Sequence, residues 1–263
     1  MHKKNRAEDA QSGDKHKTLH LKINAGELAL RILYLVVGLF IMSLGVALSI
    51  RADLGTSPIS SIPYALNIIT NMDVGTTTII VNTLIVLLQI VLLRKRFKWL
   101  QIIQVLVAVA FGEFNNLSLA IFSGLTVQYY WEQWLLCVAG IVLVAVGVSC
   151  EVAANIMTLP GEGLVLALCK LMPKAKFGYM KVTVDCSLVV IAIILSVIFE
   201  QHHNAWCAVR EGTVAAAICV GLISKLLNKV NVPLANKLFA LTARHGKKQE
   251  EIQEEPHEEP HED

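Results

Sequence analysis

A chain of 263 residues that is 54% hydrophobic, with a mean hydropathy of +0.56, carries far more apolar side chain than a soluble core of that length buries. Lys and Arg number 23 against 21 acids, but eight of the acids fall in the final 15 residues, leaving a basic body of +10 (23 minus 13) and an acidic tail. This arithmetic excludes a secreted disulfide miniprotein, a soluble enzyme of ordinary composition and a protein whose main partner is nucleic acid; it makes the lipid bilayer the first partner.

Residues 1–27 are polar and Lys-rich (Lys3, Lys4, Arg6, Lys15, Lys17, Lys22), with no small-residue cleavage pattern closing the apolar run behind them. They read as an uncleaved cytoplasmic arm. Six apolar segments follow, at 30–50, 76–93, 99–122, 134–152, 182–199 and 205–227, each near the length of about 20 residues that a bilayer core requires. The arm, the 94–98 loop, the stretch with Lys170, Lys174, Lys176 and Lys181, and the stretch after Lys229 are basic; the loops at 123–133 and 200–204 have no Lys or Arg. The excess of positive charge puts both termini in the cytoplasm with six crossings between them, and only Arg51 dissents.

Sliding the sequence against itself by 102 places aligns 38–66 with 140–168 without gaps. Identities fall at Gly38/Gly140, Gly45/Gly147, Ala52/Ala154, Thr56/Thr158, Pro58/Pro160, Ala65/Ala167 and Leu66/Leu168. The chain therefore divides into a first membrane repeat at 28–128, a second at 129–230 and a tail at 231–263 that is acidic and disordered at its end. Each repeat holds three crossings, an odd number, so the second copy is inverted relative to the first, as in many transporters.

Between the first and second crossing of each repeat lies a polar stretch and an apolar run too short to span. The first is Arg51-Ala52-Asp53-Leu54-Gly55-Thr56-Ser57-Pro58 with the run 59–72; the second is 151–159, then Pro160-Gly161-Glu162-Gly163 with the run 164–172. A hydroxyl followed by proline is a helix-start signal, because proline at the first helical position loses no needed donor. Seven extended residues reach about 23 Å, more than the roughly 15 Å to the bilayer midplane, so two half-helices can enter from opposite faces with their N-termini meeting. Such N-termini suit an anionic or carbonyl-bearing solute. Helices lying on the membrane surface and segments that cross fully stay open as alternatives.

Ionisable residues inside spans are costly and mark functional sites. Glu113, in Phe111-Gly112-Glu113-Phe114-Asn115-Asn116, lies mid-span and is the leading candidate for solute and ion coupling. Lys181 and Asp185 are spaced to pair on one helical face, with Asp185 a second coupling candidate, and Glu162 falls in the first turn of the second short helix. The solute-binding set is Thr56, Ser57, Ser60, Glu113, Thr158, Gly161 and Glu162. Arg210 and Glu211 read as a rim pair, Asn82 and Gln89 as interhelical hydrogen bonders, and the glycine pairs as close-packing points.

No Walker loop, G-x-S-x-G, H-E-x-x-H or dinucleotide fingerprint occurs, so no catalytic residue and no cofactor are assigned. The six cysteines contain no C-x-x-C, and neither a disulfide framework nor a metal site is expected. His202 and His203 are adjacent in an outer loop, and His257 and His261 lie in a repeated Glu-Glu-Pro-His of the tail, which reads as solvated chain.

Gly38, the Ala52-Asp53-Leu54-Gly55-x-x-Pro58 stretch, Gly112, Pro160-Gly161-Glu162-Gly163-Leu164 and Gly212-Thr213 together resemble the YczE/YyaS/YitT family of bacterial membrane proteins over roughly residues 28–230. Where that family often has an acid after the first proline or four places after the third-helix glycine, this chain has Ser60 and Asn116; Glu162 keeps an acid in the second copy. The resemblance implies a multi-pass protein of the bacterial plasma (inner) membrane and no particular substrate.

The expectation is an all-α integral membrane protein of six helices in two inverted three-helix repeats, each with a short re-entrant or interfacial helix. Its expected function is secondary transport or export of a small polar or anionic solute. A non-transporting scaffold or regulatory protein is the alternative, and self-association into a homo-oligomer or a membrane partner stays open.

Overall fold

The computed structural model describes residues 25–94, 99–172, 177–199 and 209–254. Most of the basic arm, most of the 94–98 loop, His202, His203 and the histidine-bearing tail lie outside the described residues.

Eight α-helices and no strands occur among the described residues: α1 Ala25–Arg51, α2 Pro58–Thr70, α3 Val74–Leu93, α4 Ile103–Ile121, α5 Tyr130–Ala154, α6 Pro160–Leu171, α7 Phe177–Ile198 and α8 Glu211–Glu254. Six of these, α1, α3, α4, α5, α7 and α8, are long and apolar enough to cross a membrane. Their outer faces carry exposed Leu33, Leu84, Val91, Leu106 and Leu135, as lipid contact requires.

The two short helices begin at Pro58 and Pro160, as the proline signals indicate. The helix before each ends just short of a residue in the left-handed conformation: Asp53 at φ 54° and Asn155 at φ 50°. Asp and Asn tolerate that region better than most side chains, which explains the abrupt end of α1 and α5. Gly55, at φ 89°, lies so close to Thr213 and the Arg210 amide that no Cβ fits.

Four of the six long helices begin two to five residues earlier than the sequence-based bounds, and two begin later. The third crossing is preceded by a 3-10 turn, Trp99–Ile102, before α4 begins. For the sixth, expected from 205, residues 205–208 lie outside the described residues. Val209 and Arg210 form a bend, held by the Gly212 amide donating to the Leu54 carbonyl at 2.9 Å and Arg210 Nη1 donating to the Asp53 carbonyl at 2.5 Å, and α8 starts at Glu211. It then runs past 230 without a break, and Ala235 and Phe239 pack against Ala153, Leu30 and Tyr34.

The core is organised about the α1–α5 seam. A Cβ on Gly45 would stand 2.6 Å from the Gly140 carbonyl, and one on Gly147 would stand 2.7 Å from the Gly38 carbonyl, so the two backbones touch where glycine allows it. Around this seam α4 packs on α1 and α8 on α5; α2 packs on α7 and α6 on α3; α2 lies on α3 and α6 on α7. Both short helices are inside the bundle. Ile62 of α2 and Leu164 and Val165 of α6 share one apolar cluster with Val81 and Ile85 of α3 and Val184 and Leu188 of α7.

Candidate functional site

The starts of α2 and α6 meet: the Ile59 side chain lies against Gly161, where an added Cβ would stand 3.0 Å from Ile59 Cδ1. Beside this contact is a cavity of about 1000 Å³ lined by Ser57, Pro58, Ile59 and Ser60 from the first short helix, Leu159 and Glu162 from the second, and polar groups of α5, α7 and α8.

Each polar group is held in place by a local reason. Ser57 precedes Pro58, and its hydroxyl donates to Ser60 Oγ at 3.1 Å. Glu151, in the last turn of α5, accepts the Leu159 amide through Oε1 at 2.6 Å, so a carboxyl holds the residue that precedes α6. Glu162 occupies the first turn of α6, where an acid meets the positive end of the helix. Pro160 is anchored from the other side by Gln89 Nε2, which donates to its carbonyl at 3.0 Å, while the Gln104 amide packs against Gly163. Lys181 and Asp185 pair along α7 at 3.3 Å.

Glu151 is within electrostatic reach of Glu162 and Lys181, and Glu162 of Lys181 and Asp185. Three buried carboxyls thus surround one ammonium, with exposed Lys225 also at the wall. Glu151 Oε2 and Thr213 Oγ1, both on residues lining the cavity and both inaccessible to solvent, have no hydrogen-bond partner.

The expected residues divide accordingly. Ser57, Ser60, Glu162 and Asp185 line the cavity. Gly161 is buried beside it against Ile59, Thr56 is buried with an unpartnered hydroxyl, and Thr158 is half-buried; none of these three is part of the wall. Glu113 is exposed on the outer face of α4 and is not part of the wall. An apolar helix with apolar lipid outside and apolar core inside gives no periodicity that orients one carboxyl, so its mid-span position did not indicate its direction.

Sequence reasoning passed over Glu151 and Thr213. The signal for Glu151 was a carboxyl in the last turn of an apolar span, eight residues before the amide it holds. Arg210 behaves as a rim residue, 3.4 Å from Asp53 Oδ2 and 3.7 Å from Glu211 Oε2. Among the described residues no cluster of three potential metal ligands is present, and the described cysteines are free.

No curated protein and no solved structure matches the chain. Residues 29–229, from α1 well into α8 and including every cavity-lining residue, match the family described as "Family of unknown function (DUF6198)". The match covers well over half of the chain, and the protein belongs to the DUF6198 family.

Proposed function

We propose that this protein is a secondary transporter of a small solute, working in the bacterial plasma membrane with both termini in the cytoplasm. The observation that carries the reading is the cavity of about 1000 Å³, walled by the starts of both short helices and containing Glu151, Glu162 and Asp185. Buried carboxyls inside a membrane bundle are costly unless they serve a solute or ion path. No ATP-binding motif occurs in the sequence, so the energy comes from an ion gradient or a separate protein.

An inverted repeat underlies the reading. Shifting residue numbers by 102 exchanges the contact of Gly38 with Gly147 for that of Gly140 with Gly45. The same shift carries Asp53 onto Asn155 and the start of α2 onto the start of α6. Among helix pairs it exchanges α1–α4 with α5–α8, α2–α7 with α6–α3, and α2–α8 with α6–α4. Two pairs break the exchange among the described residues. α1 packs on α8, with Leu30 and Tyr34 against Phe239, while α5 and α4 form no packed pair; and α3 packs on α4, while α7 and α8 flank the cavity and form no packed pair. An inverted repeat with one seam closed and its counterpart open is the arrangement by which such transporters alternate access.

In this reading α2 and α6 are re-entrant from opposite faces. Gln89, which bonds Pro160, is one turn from the end of α3, and Val81 and Ile85, which pack on Ile62, are near its middle, so both starts lie within the bilayer depth. Pro58, Ser60, Ser61 and Ile62 are buried, which a surface-lying helix would not require. The resemblance to the YczE/YyaS/YitT family fits the same architecture.

The test places single cysteines at Ser57, Ser60 and Val189 of the cavity wall, and at lipid-facing Leu84, in a background without native cysteine. Impermeant thiol reagents should label the first three and spare Leu84. Protection of all four removes the aqueous path and with it the transport reading.

A further inference from the structure

We infer that the solute is an amphipathic organic cation with N–H donors, of the primary-amine or guanidine class, taken from the bilayer through the seam between α7 and α8. This assignment rests on the transport reading of the same cavity and names its substrate class.

The polar end of the cavity is acidic and already electrostatically filled where an anion would bind. Glu162 sits at the start of α6, and Glu151 holds the Leu159 amide just before it, so the helix terminus that would hold a solute carboxylate or phosphate is met by the protein's own carboxyls. Among the described residues Lys181 is the ammonium within electrostatic reach of Glu151, Glu162 and Asp185, and it is paired with Asp185. Glu151 Oε2 is the decisive atom. It belongs to a residue that is 1% exposed, lines the cavity and has no partner. A cationic donor in the cavity favours the ionised form of this carboxyl, whose oxygens only accept hydrogen bonds. An unpaired buried acceptor is expensive, and a cationic donor gives the strongest relief.

The remainder of the wall is apolar. Met42, Val46, Phe111, Val144 and Val148 line the interior and leave a hydrocarbon body in contact with side chains of its own kind. On one side the wall is made of residues that also face outward: Val190 at 53% exposure on α7, with Val214 at 60% and Ile218 at 58% on α8. Among the described residues α7 and α8 form no packed pair here, so this seam is the side on which the cavity meets the lipid tails. A solute that partitions into the bilayer reaches the carboxyls by this route with its tail trailing into lipid.

The experiment is equilibrium dialysis of three probes of equal chain length against the full-length protein in nanodiscs, with empty nanodiscs subtracted. Octylguanidinium should bind saturably, octyltrimethylammonium, which has charge but no donor, about tenfold or more weaker, and octanoate not at all. Glu151→Gln keeps an acceptor for the Leu159 amide and should weaken octylguanidinium by about tenfold at an unchanged melting temperature, with Glu162→Gln as the second variant. Preference for octanoate overturns the assignment, as do equal binding of the two cations and wild-type affinity in a folded Glu151→Gln protein. If Glu151→Gln does not fold, the order of the three probes on the wild-type protein decides. Binding in the expected order without protein-dependent passage of octylguanidinium into sealed liposomes overturns transport and upholds the ligand class. Passage of octanoate in preference to octylguanidinium does the reverse.

Discussion

Ile59 rests on Gly161, so the first turn of one short helix is seated on the first turn of the other. Neither helix can shift without carrying its counterpart, and the residues that follow, Ser60 and Glu162, are the ones that face the cavity. Enlarging Gly161 tests this coupling. Gly161→Val should lower stability by about 1–3 kcal/mol through overpacking against Ile59, read from thermal unfolding in detergent. Gly124→Ala, where an added Cβ meets nothing within 4 Å, should leave the melting temperature unchanged.

The α1–α5 seam should respond symmetrically. An added Cβ on Gly38 would stand 2.7 Å from Cys150 Cβ, and one on Gly140 would stand 2.7 Å from the Gly45 carbonyl. Gly38→Ala and Gly140→Ala should therefore destabilise by similar amounts, about 1–3 kcal/mol each, since neither a Cβ fixed to its backbone nor a backbone carbonyl can give way as the far end of a flexible side chain does. Unfolding of the two variants side by side checks this; a large cost at one position and none at the other would contradict the two-fold exchange.

Arg31 ties the start of α1 and the end of α5 to the C-terminal half of α8. It bonds Glu27 Oε1 at 2.8 Å, donates to the Ala154 carbonyl at 3.0 Å and stacks 4.5 Å above the Phe239 ring. Arg31→Ala should loosen α8 around Phe239, with faster hydrogen exchange over residues 232–242 and a stability loss of about 2 kcal/mol, chiefly from the hydrogen bond to a charged donor and the lost cation–π contact.

Much of this architecture was legible in the sequence, and the reasons differ by residue. Pro58 and Pro160 announced two helix starts because proline is favoured at the first position for a local, backbone reason. Gly38, Gly45, Gly140 and Gly147 announced a tight seam because a missing side chain in a span has few other uses. Direction around a helix was not legible. Glu113 and Glu151 both lie in apolar runs, and nothing along the chain distinguishes a lipid-facing carboxyl from one turned inward; only packing against α1, α6 and α8 does so. The bend before α8 was equally hidden, because Arg210 and Gly212 are held by Asp53 and Leu54, far away in sequence.

Glu113 provides the control for the cavity assignment. It is exposed and outside the wall, so Glu113→Gln should leave octylguanidinium binding within about twofold of wild type, where loss of a charge-assisted hydrogen bond at Glu151 costs about tenfold. Dialysis of both variants in one series checks the contrast.

Alternation between the two seams is the central claim, and the distance between spin labels reads it directly. One pair, at Val190 and Ile218, spans the α7–α8 seam; the other, at Leu87 and Val109, spans the α3–α4 seam that Gly75 and Gly112 close. In sealed liposomes, addition of octylguanidinium and an ion gradient should shorten the first distance in a fraction of molecules and lengthen the second in the same fraction. Single, fixed distances across both seams under all conditions would describe a static scaffold and contradict the account.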